Sequence, residues 1–225
     1  MKTKILKLFE NNLPNNEFKV IELKNNENCQ RDGFLIYSAE EITCNNDIKK
    51  FYENYINKKT TELNLFRYYY YQKLDNNNYT GEHITFVMMN PAFANSNEDD
   101  FTIKNILKYL SDKKQYSSFD IVNLYPVRMP KGAKLDDLNK EINKYYKDIN
   151  ENYQNFIISY LKASNNKIVA AWGSKYHKVA TTLFKNNNIK FYCYGLNKDG
   201  SPRHFSNQAF IRKDNFLNDF KEYHF

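Results

Sequence analysis

A chain of 225 residues, of which 41% are hydrophobic and 16% aromatic, has enough apolar material for one sizeable core. Its 6 glycines and 5 prolines do not suit a linker-rich protein, so we expect a single domain over residues 1–225. The 33 Lys and Arg residues outnumber the 26 Asp and Glu residues, and the net charge of +7 suits a polyanionic partner, although a general need for solubility would produce the same excess.

The cysteines and the apolar segments argue against several classes of protein. Cys29, Cys44 and Cys193 are odd in number and lack CxxC spacing, which disfavours disulfides and a zinc site. Cys193 lies in an apolar run that predicts burial. No segment approaches the roughly 20 apolar residues that a membrane span needs. We therefore expect a cytoplasmic monomer that uses no metal and no cofactor and does not bind a membrane.

The first third of the chain has the patterns of short strands. FKVIEL from Phe18 and FLIYSAE from Phe34 are β-type segments on either side of a polar, turn-prone stretch. A helix is expected over residues 47–58. The aromatic run at 65–74 and HITFVMMN from His83 flank the turn DNNNYTG, which predicts an antiparallel hairpin. None of these segments points to a function by itself.

From Ile84 onward, apolar strands alternate with helical patterns. ITFVMM, FDIVNLYPV, KIVAAW and IKFYCYG are four apolar runs of strand length. Helical spacing appears between them in FTIKNILKYL, in residues 135–164 as one bent helix or two, and in SKYHKVATTLFKN. A closing helix is expected over 213–223. This alternation predicts an α/β fold with a central, mostly parallel four-stranded sheet flanked by helices.

The carboxyl ends of the four predicted strands carry chemically unusual residues. In open α/β sheets, ligands bind in the crevice outside these ends. The ends are Asn90-Pro91, Asn123 to Tyr125, Trp172 to Ser174, and the loop at 195–205. We expect these four segments to converge on one rim.

Four motifs at these ends carry a resemblance to a known family. MMNPAF (88–93), FDIVNLYPVRMP (119–130), AWGSKYHKVATTLF (171–184) and GSPRHF (200–205) have the order and spacing of the motifs of uracil-DNA glycosylases. That family has a water-activating loop with a GQDPYH or GxNPG core, a strand of LLLN-x-x-x-x-VR type, a WG strand end and an HPSP-type DNA loop. The chain is more similar still to a domain family of unknown function with MNP, DDPTI, NLYPxR, AWG and DGxPRH segments, which includes pseudo-uracil-DNA glycosylases carried on mobile resistance cassettes.

The resemblance covers residues ~65–210. It implies a glycosylase-like three-layer core at 65–225, preceded by a family-specific, β-containing N-terminal extension at 1–64.

The resemblance assigns base binding to five residues. Asn123 matches the Asn that reads the uracil edge, because an amide offers a donor and an acceptor together. Ala92 stands where strict uracil enzymes have a Tyr that excludes a C5-methyl group, so thymine or a larger C5-modified pyrimidine meets less steric rejection, unless Phe93 replaces the ring. Phe101 is a candidate for stacking on the base, and Met89 joins this set. The structural alternatives are that Asn123 ends its strand and bonds to a neighbouring loop, and that Phe101 packs in the core.

The same comparison implies weak or absent catalysis. Asn90 aligns with the Asp that positions the attacking water, and an amide cannot act as a general base at neutral pH. Mismatch-type relatives with Asn still work slowly by orienting water, and the structural alternative is that Asn90 only caps its loop. The His that stabilises the departing base is replaced by Gly200-Ser201-Pro202, and His204, four residues later, serves only if the loop is rearranged. A surface histidine or a phosphate contact is the alternative for His204.

Cations and small residues around the predicted rim suit a DNA backbone. The predicted contacts are Lys198, Ser201, Pro202, Arg203, Arg128, Ser174 and Lys175, with Lys131, Lys134, His177 and Lys178 nearby. Any one of these lysines is equally compatible with a solvated helix face. Asp99 and Asp100 are expected to cap the helix that follows, and the resemblance makes Asp100 a candidate site residue.

We therefore expect a DNA-binding, glycosylase-like pseudo-enzyme with weak or no uracil excision, whose ligand is single-stranded or flipped-base DNA. Two alternatives stay open. One is an active glycosylase, or another enzyme, that acts on a C5-modified pyrimidine. The other is a decoy that binds protein partners, such as an inhibitor of true uracil-DNA glycosylase, and this alternative predicts weak DNA binding with little salt dependence.

Overall fold

The computed structural model describes residues 2–12, 18–24, 32–38, 65–74, 81–92, 97, 99–113, 115–129, 135–146, 148–206 and 219–225. These residues form five helices and a single eight-stranded sheet. The helices are α1 (Lys2–Asn12), α2 (Phe101–Lys113), α3 (Leu135–Tyr145), α4 (Ile149–Lys162) and α5 (His177–Phe184). The strands are β1 (Phe18–Glu22), β2 (Gly33–Ser38), β3 (Arg67–Lys73), β4 (Glu82–Met88), β5 (Tyr116–Asn123), β6 (Lys167–Ala170), β7 (Phe191–Cys193) and β8 (Lys221–Tyr223).

The sheet is mixed, with the strand order β1-β2-β3-β5-β4-β6-β7-β8. The four strands that the alternation predicts, β5, β4, β6 and β7, are parallel neighbours. β1, β2 and β3 continue the sheet antiparallel beyond β5, and β8 pairs antiparallel with β7. The α/β class is confirmed, whereas the prediction of a mostly parallel four-stranded sheet is wrong for the described residues. Strands from both ends of the chain extend the predicted sheet instead of lying apart from it.

The predicted hairpin between residues 65–74 and HITFVMMN is also wrong. β3 pairs with β2 and β5, and β5 lies between β3 and β4. The aromatic side chains of β3 are buried from Tyr68 to Tyr71, with exposures of 8% or less. An interior strand needs a neighbour on each edge, and a buried aromatic run does not specify which strands supply them.

Two buried clusters cover the two faces of the sheet. In β4, Val87 packs into the first cluster, whereas Phe86 and Met88 pack into the second, as strand alternation requires. The first cluster includes apolar residues of α1, α3, α4 and α5. The second includes residues of α2, which contributes Ile103, Ile106 and Leu110 at helical spacing. Among the described helices, α2 is therefore the one that covers the second face.

The helical pattern at 135–164 forms two helices. Asp148, with a φ of 67°, lies between α3 and α4, and this left-handed conformation interrupts the helical path. The predicted closing helix is wrong at Lys221–Tyr223, which forms β8 because pairing with the edge of β7 outweighs helical spacing in so short a segment. The rest of that helix, at 213–218, lies outside the described residues, as does the helix predicted at 47–58.

Cys193 is buried, as predicted, and its thiol is free. The other two cysteines lie outside the described residues. None of the described helices has the length and apolar character that crossing a membrane requires. The part of the chain that the structure describes contains no cluster of three or more His, Cys, Asp or Glu side chains suited to holding a metal ion.

Candidate functional site

The predicted segments meet around one cavity of about 290 Å³ at the carboxyl ends of β4, β5 and β6. Its lining includes Asn90, Asn123, Gly173 and His204. β5 lies on one side of β4 and β6 on the other, which makes this edge a topological switch point, the place where α/β sheets bind ligands. The N–H of Gly173 donates to the carbonyl of Pro202 at 3.1 Å and so holds the late loop against the same edge. The predicted convergence of the four segments is confirmed.

Asn123 presents a side-chain amide to the cavity. It is the last residue of β5 and is only 2% exposed. Its backbone N–H donates to the hydroxyl of Tyr153 at 3.2 Å. Its side chain has no hydrogen-bond partner within the described part of the chain, so the predicted alternative of a bond to a neighbouring loop is not observed there. A buried amide is costly unless it is hydrogen-bonded, so this group is available to a ligand.

Asn90 is oriented by the loop that follows β4. Its Nδ2 donates to the carbonyls of Met129 at 2.8 Å and Pro91 at 3.1 Å. Because carbonyl oxygens only accept, these bonds fix the orientation of the amide and leave Oδ1 as the atom available to the cavity. This oxygen can accept a hydrogen bond from water, but it cannot take a proton at neutral pH.

The loop at 195–205 folds so that His204 lines the cavity. Leu196 and Pro202 form an antiparallel bridge, and the hydroxyl of Tyr194 donates to the carbonyl of His204 at 2.7 Å. The next residue, Phe205, is buried in the core. This path brings His204 to the site, although His204 comes four residues later in the sequence than the resemblance predicts for a histidine. The alternative of a purely surface histidine does not fit this position.

The ring of His204 is neutral at pH 7. Its Nδ1 accepts the backbone N–H of Ser206 at 3.1 Å, so the proton of the neutral ring lies on Nε2. Burial lowers the pKa of His204 to about 4, although the negative charge of Asp100 opposes this shift. A neutral ring with a proton on Nε2 is a hydrogen-bond donor that carries no charge.

The two predicted capping residues differ in what they do. Oδ1 of Asp100 accepts the N–H of Ile103 at 3.0 Å, so Asp100 caps α2, and the residue also lines the cavity. Asp99 instead accepts a hydrogen bond from the hydroxyl of Tyr70 at 3.0 Å. The capping prediction is confirmed for Asp100, whereas the hydrogen bond from Tyr70 connects Asp99 to β3.

Two predicted contacts do not have the positions that their predicted roles require. Arg128 is 2% exposed, its guanidinium lies 5.2 Å from the ring centroid of Tyr37, and its Nε donates to the carbonyl of Ala92 at 3.5 Å. Such a buried side chain packs the fold and does not face a DNA backbone. Phe101 is 46% exposed and does not belong to the described cavity lining, which disfavours its predicted stacking on a base inside the cavity.

The late loop is held by a network around Ser201. Ser201 is fully buried, its Oγ donates to Asp199 at 2.6 Å, and Ser174 lies within 2.9 Å. The hydrogen bonds from Ser201 lower the pKa of Asp199. Nδ2 of Asn197 also donates to Ser201 at 2.9 Å. Ser201 and Pro202, which is also buried, therefore brace the loop, and neither is exposed to a DNA backbone.

The remaining predicted cations are distributed along the rim. Lys198 is exposed, and Arg203 is half-buried with its Nε donating to the carbonyl of Leu196 at 2.7 Å. Lys175 lines the cavity and lies 3.1 Å from Asp136. The ring of His177 lies 3.3 Å from the hydroxyl of Tyr223, and Lys178 is exposed.

Met89 and Ala92 line the cavity, whereas Phe93, Lys131 and Lys134 lie outside the described residues.

Sequence reasoning missed Arg67. This residue begins β3, is 3% exposed and lines the cavity beside Asn123. The side chains of an undistorted strand alternate between faces, and that rule places residue 67 on the side of Tyr69 and Tyr71, away from the cavity. A shift in the β2–β3 register changes this, and no feature of the local sequence predicts it.

Comparison with known protein families matches residues 67–204 to a family described as a protein of unknown function, DUF1643. The match covers more than half of the chain, and it begins at Arg67 and ends at His204, both of which line the cavity. Searches of curated proteins and of solved structures each found no match. The family description names no activity, so the resemblance to uracil-DNA glycosylases stays a prediction. The chain belongs to the DUF1643 family.

Proposed function

We propose that this protein binds DNA and receives one unstacked pyrimidine base in the cavity at the carboxyl ends of β4, β5 and β6, with weak or no cleavage of the glycosidic bond. The single observation that carries the proposal is the buried side-chain amide of Asn123, which faces the cavity without a partner among the described residues. An amide pairs a donor with an acceptor, as the edge of a uracil-type ring does.

The size and surroundings of the cavity support a base as the ligand. A volume of about 290 Å³ is at the small end of ligand sites and admits a single ring more readily than a larger molecule. A base inside a duplex cannot reach such a cavity, so it has to leave the stack. Lys175 at the cavity, Lys198 on the adjoining loop and the net charge of +7 suit a strand that runs across the opening.

Weak hydrolysis follows from the groups around the base. Asn90 offers Oδ1 to orient a water molecule but has no basic site, so the water keeps its proton in the ground state. The small side chain of Ala92 leaves space for a C5 substituent on the base. We expect a bound base to leave the cavity before its glycosidic bond is cleaved.

One observation favours an active glycosylase as a second candidate function. His204, with its proton on Nε2, and Asp100, the one acid among the described lining residues, share the cavity. The Nε2–H group is suited to stabilise the negative charge that develops on a departing base, and a carboxylate is suited to accept a proton from water. Asp100 already uses one oxygen to cap α2, which restricts its movement.

The test is a panel of oligonucleotides that contain uracil, thymine or a C5-modified pyrimidine at one position, as single strands and duplexes. Binding of each oligonucleotide is measured by fluorescence anisotropy at several salt concentrations. Strand scission after alkali reports cleavage of the glycosidic bond. We expect base-dependent binding that weakens steeply with salt, with little scission. Asn123→Ala should weaken binding of the uracil-containing strand, whereas Asn155→Ala, an exposed position on α4, serves as the matched control.

The other outcomes separate the alternatives. Strand scission on the time scale of binding would contradict a pseudo-enzyme and indicate an active glycosylase. Weak binding that is insensitive to both salt and base would contradict nucleic acid binding and favour a decoy for protein partners.

A further inference from the structure

Arg67 lies at the cavity because the pairing of β3 with β2 shifts by one residue. The register runs from Ile36↔Tyr69 to Tyr37↔Arg67, so Tyr68 has no partner residue in β2. A β-bulge of this kind adds one residue to a strand and redirects the side chains beyond it. Tyr68 and Tyr69 both pack into the cluster on the α4 side, and Arg67 is thereby returned to the opposite face, where the cavity lies.

The guanidinium of Arg67 is buried where the described strand ends meet. It is 3% exposed, and its Cζ lies 5.6 Å from the ring centroid of Tyr70. Its backbone N–H donates to the carbonyl of Pro126 at 2.9 Å, which places the residue beside the end of β5. Its positive charge opposes the rise that burial causes in the pKa of Tyr153, the phenol bonded to the backbone of Asn123.

Arg67 differs from the other charged groups of the described lining. Lys175 is 41% exposed, and Asp100 is an acid. Arg67 is almost completely buried and presents only hydrogen-bond donors. Charge-assisted hydrogen bonds from a guanidinium to an oxygen are roughly twice as strong as neutral ones. The wall formed by β3 therefore attracts acceptors and repels amino groups.

We infer that Arg67 determines which base the cavity selects, by favouring a pyrimidine that brings a carbonyl or an anionic carboxylate oxygen to the β3 wall. This inference rests on the proposed function and adds the substrate class. Pyrimidines with an oxygen-rich edge or an acidic C5 substituent are preferred over those whose edge ends in an amino group. Ala92, in the same cavity, leaves room for such a substituent.

The test compares single strands of one sequence that carry uracil, 5-carboxyuracil, cytosine or an abasic site at the same position. Wild-type protein should bind the 5-carboxyuracil strand at least about tenfold more tightly than the cytosine strand, the size expected for hydrogen bonds to a charged group. Arg67→Gln should bring this ratio close to one while the preference for uracil over the abasic site persists through Asn123. Arg203→Gln, in the loop outside the described cavity lining, should weaken all strands alike and preserve the ratio.

Several outcomes would overturn the inference. One is an unchanged ratio in Arg67→Gln, and another is a wild-type protein that does not prefer the carboxylate. A 5′-phosphate on the abasic strand that raises affinity in an Arg67-dependent way would assign the guanidinium to the backbone instead. If Arg67→Gln does not fold, Arg67→Met, which keeps an unbranched chain to pack on Tyr70, replaces it. A wild-type protein that does not distinguish uracil from an abasic site contradicts the proposed function itself, which separates the two failures.

Discussion

The hydroxyl of Tyr153 accepts the backbone N–H of Asn123 at 3.2 Å and donates to the carbonyl of Tyr68 at 2.8 Å. A single buried phenol on α4 thus joins the end of β5 to the bulged residue of β3. The two strands that it joins carry Asn123 and Arg67, so one hydroxyl holds the two proposed ligand-binding residues in register.

Tyr153→Phe removes this hydroxyl and leaves a buried N–H and a buried carbonyl without it. We expect a loss of about 1–3 kcal/mol in the free energy of unfolding, because buried polar groups without partners keep their desolvation cost. The affinity for a uracil-containing strand should also fall, by more than the loss of folded protein accounts for. Denaturant titration and anisotropy measure the two effects, and full retention of base preference in a folded variant would contradict the role of Tyr153.

Gly173→Ala tests the contact between the strand end of β6 and His204. Gly173 has a φ of +76°, and a Cβ there would lie 3.5 Å from Cβ of His204. The left-handed conformation costs an alanine about 1–2 kcal/mol. Gly200→Ala, at a φ of +79° with no atom within 4 Å of its added Cβ, is the matched control for this strain. Both variants should lose similar stability in thermal melts, and only Gly173→Ala should weaken base binding, because Gly173 lines the cavity and Gly200 is not in its described lining.

The pH dependence of stability reports on His204. Its pKa is about 4 in the folded protein, against 6.5 for an unperturbed histidine, so the unfolded chain binds more protons between these values. The contribution of His204 to stability is therefore fully present above pH 6.5 and decreases as the pH falls towards 4. His204→Gln should have a shallower loss of stability over this range in chemical denaturation. Identical slopes for the two proteins would contradict a ring that is neutral in the folded protein at pH 7.

Asp120 is the centre of a second buried polar network, on the face of the sheet that α4 covers. Its Oδ2 accepts the hydroxyl of Tyr69 at 2.6 Å and that of Tyr160, and it lies 3.1 Å from Nε2 of His83. Burial, reinforced by the charge of Asp120, raises the pKa of both tyrosines. Asp120→Ala should destabilise the protein by about 3 kcal/mol or more, because it leaves several buried groups without their acceptor.

The control for this change is Asp219→Ala, which removes an exposed carboxylate 2.9 Å from Lys113. Such surface pairs contribute little, so its unfolding midpoint should not change measurably. Equal effects of the two substitutions would show that the Asp120 network does not stabilise the junction between the sheet and α4.

The central part of the fold could be predicted because its signals are local. Four apolar runs separated by amphipathic segments require crossovers, and this is sufficient to place Asn90, Asn123 and Gly173 on one edge. The partners of β3 could not be predicted in this way. The aromatic run of β3 is buried on both faces, and its pairing with β5 joins residues about 50 positions apart in the chain.

The site was predictable to the same extent. Asn123 could be found because a polar residue ends an apolar strand. Arg67 could not, since a bulge that arises from pairing with β2 decides its face. Arg128 shows the converse error: a cation after a strand suggests a surface contact, but the chain turns it inward, where its guanidinium lies over Tyr37. Charge in a sequence indicates which partners suit a residue, and tertiary packing decides whether the residue can reach them.

Contact between a bound base and Asn123 can be followed by NMR. The signal of the Asn123 side-chain amide, assigned by comparison with Asn123→Ala, is recorded during titration with a short uracil-containing single strand. Binding of the base in the cavity predicts a large, saturable shift of this signal at the concentrations at which anisotropy detects the complex. The same strand with an abasic site in place of uracil should leave it unmoved. An unshifted Asn123 amide in a protein saturated with the uracil strand would contradict binding of the base in the cavity.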